Sequence, residues 1–172
     1  LVRNRVWTVT LSVAGPRPED TGHWRYFADE SIVFNRLIFM HAFDPLSAPQ
    51  NGWGMMAEIT ETAESPPPDP DTLQRKVLDD LDRCAILPPD CHIVDVHVLL
   101  VDPAYVVFTL GNQAIIEAGR NFLDSCDIVP LGRYGRWEYS SMAQVMRDGF
   151  QWAEKMAAMA NDSPDTSDTA II

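Results

Sequence analysis

Cysteine is scarce in this 172-residue sequence, and acidic residues outnumber basic ones. The three cysteines, Cys84, Cys91 and Cys126, form no C-x-x-C pair, which argues against a zinc site or a disulfide framework and favours a cytoplasmic setting. Thirteen Lys and Arg residues against 25 Asp and Glu residues give a formal net charge of -12. Because nucleic acids and anionic membranes are bound by broad basic faces, neither is an expected partner.

Long apolar runs are also missing. No stretch approaches the roughly 20 apolar residues that cross a bilayer, and the first residues lack the layout of a signal peptide. The sequence opens without methionine on an alternating stretch, as expected for a piece of a longer chain. The four histidines have no neighbouring ligand at metal spacing, so we expect no metal site.

Period-two alternation predicts strands in the first third of the chain. Apolar side chains alternate with polar ones from Val6 to Val13, which places one apolar face on a sheet. Residues 23–27, 31–43 and 52–62 predict three further strands, and together they indicate an antiparallel meander. The proline-rich residues 63–71 predict an exposed connection.

Helical periodicity appears after this connection. Asp71 and Thr72 are candidate caps of an amphipathic helix. Residues 91–102 alternate again as a strand, and residues 104–110 are either the next strand or an extended segment. Residues 127–130 predict a short strand. The apolar face of the first helix holds Leu73, Val77, Leu78 and Leu81; that of a helix after Gly111 holds Ile115, Ile116, Phe122, Leu123 and Cys126; that of the last helix holds Met142, Val145, Met146, Gly149, Ala153 and Met156. This order predicts an α+β fold, with helices on one side of a mostly antiparallel sheet and a long C-terminal helix.

The stretch "LGRYGRWEYSSM", residues 131–142, concentrates two glycines, two arginines and three aromatic rings before the last helix. Ser140 or Ser141 is placed to cap that helix. A helix start carries unpaired N–H donors and partial positive charge, so with Arg133 and Arg136 nearby it predicts an anion site. A plain helix cap beside surface arginines is the alternative.

Residues 132–142 resemble the C-terminal motif of flavoenzymes related to UDP-galactopyranose mutase and the protoporphyrinogen-oxidase-like amine oxidoreductases, in which G-R-[FY]-G-x-W-x-Y leads into the last helix. Residues 23–49 resemble a segment of the same group, where a W-x-Y-F strand precedes a [FY]-x-R strand and an [FY]-[SD]-P turn. "MMAEIT" (55–60) and "AYVVF" (104–108) occupy the positions of comparable strands. The order of these motifs spreads the resemblance over most of residues 1–160.

The resemblance implies an FAD-dependent oxidoreductase. The G-x-G-x-x-G fingerprint of a dinucleotide-binding unit does not occur in this sequence, because the "GWG" at residues 52–54 lies in a strand context without a following helix. We therefore expect a substrate-binding domain at 1–130, a flavin-contacting motif and helix at 131–160 and a disordered tail at 161–172. The isolated chain is expected to be inactive, and a separate FAD-binding chain is a possible partner.

The resemblance also carries site residues across. Arg36, Arg133 and Tyr139 match residues that contact the substrate's diphosphate in the mutase branch. The resemblance also implies a set of residues that contact the flavin: Gly132, Arg133, Gly135, Met142 and Ala143. In this set the two glycines allow close approach of the backbone, and the main-chain N–H groups of Met142 and Ala143 face the isoalloxazine edge. No residue is assigned a catalytic role.

Each assignment has a structural alternative. Arg133 can form a salt bridge with an acidic neighbour, Arg36 can lie on the solvated face of a half-buried strand, and Trp137 can be a core aromatic rather than a ring beneath the flavin. Glu58 can pair with an arginine inside the sheet and is given no catalytic role.

The substrate implied by the resemblance is small and anionic or amphipathic. The serines and Met142 that follow Tyr139 depart from the mutase pattern, so a UDP-sugar mutase is one alternative function, and a non-catalytic protein-interaction module is another.

Overall fold

The computed structural model describes residues 2–162 as five strands, five α-helices and one 3₁₀ turn. The strands are β1 (Arg3–Ala14), β2 (Trp24–Tyr26), β3 (Arg36–Phe39), β4 (Gly52–Thr62) and β5 (His92–Val106), and the helices are α1 (Met40–Phe43), α2 (Pro70–Arg83), α3 (Asn112–Ser125), α4 (Gly132–Gly135) and α5 (Met142–Asp162), with the 3₁₀ turn at Pro45–Ser47. The chain divides into two compact units. The sheet unit spans Arg3–Val107, and the helical unit comprises Val2 and the described residues from Phe108 onward.

The sheet unit is a single sheet with strand order β2-β3-β4-β1-β5, and all its strand pairs are antiparallel. The predicted α+β fold is confirmed. Residues 31–43 were predicted as one strand, but only Arg36–Phe39 pair, and Met40–Phe43 form a helical turn. β5 runs continuously through Pro103 and so joins two stretches that the sequence separated.

Alternation decides which face of the sheet is buried. Trp7, Val9, Leu11 and Val13 of β1 lie opposite odd-numbered residues of β4, and directly paired residues share a face. We call this side the core face. It packs against the apolar side of α2, where Leu73, Val77 and Leu81 are buried as predicted. The even-numbered residues of β1, β3 and β4 form the second face.

Helix α2 begins two residues before its predicted start. Asp69 is the N-cap, and its carboxylate accepts hydrogen bonds from the N–H and the hydroxyl of Thr72 at 2.9 and 2.8 Å. Pro70 occupies the first helical position, where a missing N–H costs nothing. The predicted caps, Asp71 and Thr72, therefore lie inside the first turn.

A long-range contact fixes the loop between α1 and β4. The guanidinium of Arg17 donates to four backbone carbonyls, those of Pro45, Ala48, Pro49 and Gly52, at 2.7 to 3.0 Å. These bonds satisfy carbonyls that have no partner in a ladder. Arg17 therefore holds in place a loop whose only helical part among the described residues is the 3₁₀ turn Pro45–Ser47.

The helical unit departs further from the predictions. Residues 127–130 form no strand. On α3 only Ile116 of the predicted apolar face is buried, while Ile115 and Phe122 are exposed. On α5, Met142 and Met146 are exposed, because no described element of this unit covers that face. Helix α5 continues to Asp162, so the rest of the predicted tail lies outside the described residues.

Candidate functional site

Arg36 lies on the second face of the sheet and is paired with a buried carboxylate. Arg36 of β3 stands directly opposite Glu58 of β4. Its Nε donates to Oε2 of Glu58 at 2.9 Å, and its Nη2 donates to the same oxygen. The side chain of Glu58 is 8% exposed and that of Arg36 is 22% exposed. The pairing of Glu58 with an arginine inside the sheet, expected from the sequence, is confirmed.

Two tyrosines complete this group. The hydroxyl of Tyr105 donates to Oε1 of Glu58 at 3.3 Å, and Nη1 of Arg36 donates to the hydroxyl of Tyr26 at 3.3 Å. The guanidinium also lies over the Tyr26 ring, 5.7 Å from its centroid. We call Tyr26, Arg36, Glu58 and Tyr105 the arginine cluster.

The surroundings of the cluster stabilise the charged form of Arg36 and the protonated form of Tyr105. Burial alone would lower the pKa of Arg36, but the hydrogen bond and the negative charge of Glu58 outweigh it and raise the pKa. Burial, followed by the charge of Glu58, raises the pKa of Tyr105. Tyr105 therefore keeps its proton at neutral pH and acts as the hydrogen-bond donor to Glu58.

Aromatic side chains extend the second face beyond the cluster. Trp24 and Tyr26 both belong to the edge strand β2, two residues apart, and therefore point to the same side. Phe43 of α1 stacks on Trp24 with the ring centroids 5.9 Å apart. All three rings are exposed. The sheet unit thus presents a group of flat apolar rings beside a fixed guanidinium.

In the helical unit, the motif of residues 131–142 forms a short helix and a tight exit. The N–H of Glu138 donates to the carbonyl of Arg133 at 3.0 Å, and the N–H of Trp137 donates to that of Tyr134 at 3.3 Å. This pair of bonds is the Schellman pattern of a helix C-terminus. Trp137 has φ 50° and occupies the left-handed position that usually belongs to glycine.

Gly132 is required at the start of α4 for two reasons. Its φ is +73°, and a Cβ at this position would lie 3.0 Å from Cγ1 of Val145 on α5. A side chain would therefore suffer both backbone strain and a close contact. At Gly135 an added Cβ would lie 3.6 Å from the backbone of Pro130, which is an ordinary van der Waals distance.

Arg133 and Tyr139 are in contact with each other. The Arg133 guanidinium lies over the Tyr139 ring, 4.9 Å from its centroid. Phe108 packs against the same ring at 5.3 Å. The Tyr139 side chain is exposed, and Arg133 is half-buried. Two of the three residues that the resemblance assigns to a diphosphate are thus in contact in the helical unit.

The second arginine of the motif is engaged in ion pairs. Arg136 Nη1 lies 2.6 Å from Oδ2 of Asp148 on α5, and its Nε lies 3.8 Å from Glu138. Arg120 of α3 approaches Glu138 at 3.7 Å. Arg120, Arg136 and Asp148 border a cleft of about 530 Å³, which Trp152 also lines. The carboxylates compensate the positive charge that Arg136 was predicted to offer.

Helix α5 begins with a capping box. The Ser141 hydroxyl accepts from the N–H of Gln144 at 3.3 Å, and the Gln144 side chain accepts from the N–H of Ser141 at 2.7 Å. The predicted cap at Ser140 or Ser141 is confirmed at Ser141. The N–H groups of Met142 and Ala143 belong to the first turn of α5, where a helix offers them no acceptor of its own, and the Met142 side chain is 85% exposed.

The predicted site residues fall in both units. Arg36 belongs to the sheet unit, whereas Gly132, Arg133, Gly135, Tyr139, Met142 and Ala143 belong to the helical unit. Sequence reasoning did not single out Tyr26 and Tyr105. The alternation of β2 was a usable signal for Tyr26, but the register that brings Tyr105 to Glu58 spans β1 and is not visible in local sequence.

Metal clusters and membrane spans are both absent from the residues that the structure describes. Among them, no group of three or more His, Cys, Asp or Glu side chains is arranged to hold a metal ion. None of the helices within 2–162 has the length and apolar character that a membrane span requires.

No protein-family model and no curated protein matches the sequence. Among solved structures, the crystal structure of reduced UDP-galactopyranose mutase matches with a TM-score of 0.71 and 22% sequence identity. The match covers 81% of this chain. The chain has the fold of part of UDP-galactopyranose mutase. It spans 30% of the length of that structure, and the resemblance deduced from the sequence is confirmed at the level of the fold.

Proposed function

We propose that this chain is the substrate-binding and C-terminal portion of an FAD-dependent oxidoreductase related to UDP-galactopyranose mutase and the protoporphyrinogen-oxidase-like enzymes. The observation that carries the proposal is the fold match over 81% of the chain. The motifs at 23–49 and 132–142, which first indicated the resemblance, fall within the two units that contain Arg36 and Arg133. The dinucleotide-binding unit of such an enzyme would lie outside these 172 residues.

The residues assigned to FAD have suitable chemistry for it. The Met142 and Ala143 N–H groups stand at the start of a 21-residue helix, where the helix dipole favours negative charge. Gly132 keeps the backbone before this helix free of a side chain. FAD, when bound, supplies the redox chemistry, and the protein supplies position and electrostatic field. Gly132, Arg133, Gly135, Met142 and Ala143 would hold it.

The proposed substrate is small and anionic or amphipathic. Arg36 offers a guanidinium with fixed orientation beside the exposed rings of Trp24 and Tyr26, and Arg133 offers a second guanidinium stacked on Tyr139. A planar guanidinium suits paired phosphate oxygens in a way that lysine cannot imitate. Tyr139 supplies a hydroxyl beside Arg133.

Two observations favour other functions. The solved structure that shares the fold is a UDP-galactopyranose mutase, which favours a UDP-sugar as the substrate. The exposed apolar side chains of α5, Met142, Met146 and Phe150, favour protein contacts, either as an interaction module or with a separate FAD-binding chain.

Ligand titrations distinguish these functions. UDP should bind to the 172-residue chain, and Arg36→Ala or Arg133→Ala should each weaken binding by about 30-fold, corresponding to about 2 kcal/mol for a charge-assisted hydrogen bond. Arg75→Ala is the matched control, because Arg75 lies on the exposed side of α2 and bonds only within that helix. An interaction module would keep its partner but show no response to UDP.

Flavin binding tests the division between this chain and the rest of an enzyme. The isolated chain should hold little FAD, and flavin absorbance should appear when the chain is joined to a dinucleotide-binding unit encoded beside it. Tight FAD binding by the isolated chain would contradict the proposal that the main binding element lies elsewhere. If the joined protein binds flavin but does not bind UDP, the UDP-sugar alternative is excluded.

A further inference from the structure

Glu58 is held from two sides in the arginine cluster. Oε2 accepts two N–H groups of Arg36, and Oε1 accepts the hydroxyl of Tyr105. Because both oxygens are engaged and the side chain is buried, the carboxylate has one orientation. A carboxylate fixed in this way also fixes the plane of the guanidinium that it binds.

The guanidinium keeps a donor for another group. Two N–H groups bond Glu58 and one bonds Tyr26, and Arg36 also shares a hydrogen bond with the Tyr105 hydroxyl, which leaves at least one of its five donors. The Tyr26 side chain is exposed, and Arg36 itself is partly accessible. The edge of Arg36 beside Tyr26 is therefore the part of the cluster that a dissolved molecule can reach.

Resting on the proposed function, we infer that Glu58 is a positioning residue, which holds Arg36 so that its Nη1 edge and the Tyr26 hydroxyl meet an oxyanion of the substrate on the second face of the sheet. Glu58 does not touch the substrate. The negative charge of Glu58 weakens the binding of an anionic substrate. This loss of affinity is offset because the N–H donors of Arg36 are oriented before the substrate binds. Tyr105 supports the same geometry through its contacts with Glu58 and Arg36.

Two substitutions separate position from charge. Glu58→Asp keeps the charge but withdraws the carboxylate by one methylene, so Arg36 should lose its fixed orientation and UDP should bind about tenfold more weakly. Glu58→Gln keeps the length and an acceptor oxygen but removes the charge. Its affinity for UDP should be equal to or higher than that of the wild type.

A readout without ligand makes the test independent of the substrate. The Arg36 Nε–H should give a resolved NMR signal protected from exchange in the wild type and in Glu58→Gln, and this signal should be lost in Glu58→Asp. Glu61→Asp is the matched control, since Glu61 of the same strand pairs with Arg5 at 3.0 Å and does not contact Arg36. It should change neither the Arg36 signal nor the UDP affinity.

Each outcome decides one question. A protected Arg36 signal in Glu58→Asp, or equal UDP affinity in Glu58→Asp and the wild type, would overturn the positioning role. Tighter binding in both variants would mean that Glu58 acts only as a counter-charge, which also overturns it. If the signal behaves as expected but the wild type does not respond to UDP, the positioning of Arg36 stands and a UDP-sugar is excluded as the anionic substrate.

Discussion

Replacement of Gly132 by alanine tests the backbone geometry of the motif that precedes α5. The left-handed conformation, φ +73°, costs a residue with a Cβ about 1 kcal/mol. The new Cβ would also lie 3.0 Å from Cγ1 of Val145, and overpacking of this kind costs about 1–3 kcal/mol. Gly132→Ala should therefore destabilise the helical unit by about 2–4 kcal/mol.

A double-mutant cycle separates the two contributions. Val145→Ala removes the contacted methyl group, so Gly132→Ala in that background should cost only the backbone strain. The coupling free energy should be about 1–3 kcal/mol, the steric part of the total. Urea unfolding followed by far-UV circular dichroism measures each of the four proteins.

Gly149→Ala is a control of opposite sign. Gly149 lies inside α5, and a Cβ there would meet no atom within 4 Å. Alanine should therefore stabilise the helix by about 0.5–1 kcal/mol. The reasoning is refuted if Gly132→Ala costs less than about 0.5 kcal/mol, or if Val145→Ala leaves its cost unchanged.

Three further predictions concern the sheet unit. Arg17→Ala removes four hydrogen bonds to carbonyls and should lower the free energy of unfolding by about 2–3 kcal/mol. Tryptophan fluorescence in urea measures this loss, and a value below about 0.5 kcal/mol would show that Arg17 does not stabilise the loop. Asp69→Ala, which uncaps α2, should cost about 1 kcal/mol, with Asp69→Asn largely restoring it; equal losses in the two variants would exclude capping. Burial lowers the pKa of His41 below its ordinary 6.5. Between the folded pKa and 6.5 the unfolded state therefore binds more protons, so the free energy of unfolding should fall as the pH falls from 6.5 to the folded pKa. Parallel pH–stability curves for His41→Asn and the wild type would rule this out.

The sheet unit was predictable because its patterns are strict. Alternation in β1 identified Trp7, Val9, Leu11 and Val13 as one buried face, and helical spacing identified the buried side of α2. The boundaries were less accurate where capping chemistry decided them. The N-cap of α2 is Asp69 rather than Asp71, because the proline between them can serve as the first helical residue.

The helical unit shows what periodicity leaves undecided. The apolar stripes of α3 and α5 are real, but Phe122 and Met146 are exposed. An apolar stripe identifies a face that favours burial, whereas burial also needs an element to cover it. The short helix α4 was missed because Gly132 begins it with a positive φ, and because Trp137 ends it in a conformation that sequence rules reserve for glycine.

The candidate site was predictable in part. The pairing of Glu58 with an arginine followed from finding charged residues on neighbouring apolar strands, where an unpaired charge is costly. The contribution of Tyr105 depends on β1 lying between β4 and β5, so that a residue 47 positions further along the chain reaches the same carboxylate. No local pattern carries that information.

The position of β1 between β4 and β5 has a consequence for how the sheet assembles. Val9 pairs with Ala57 on one side and with Val98 on the other, 48 and 89 positions away. Because distant pairings pay the entropy of closing large loops before they gain contacts, such topologies fold slowly. During synthesis β1 can pair with β4 first, but its other edge has no partner until β5 has left the ribosome.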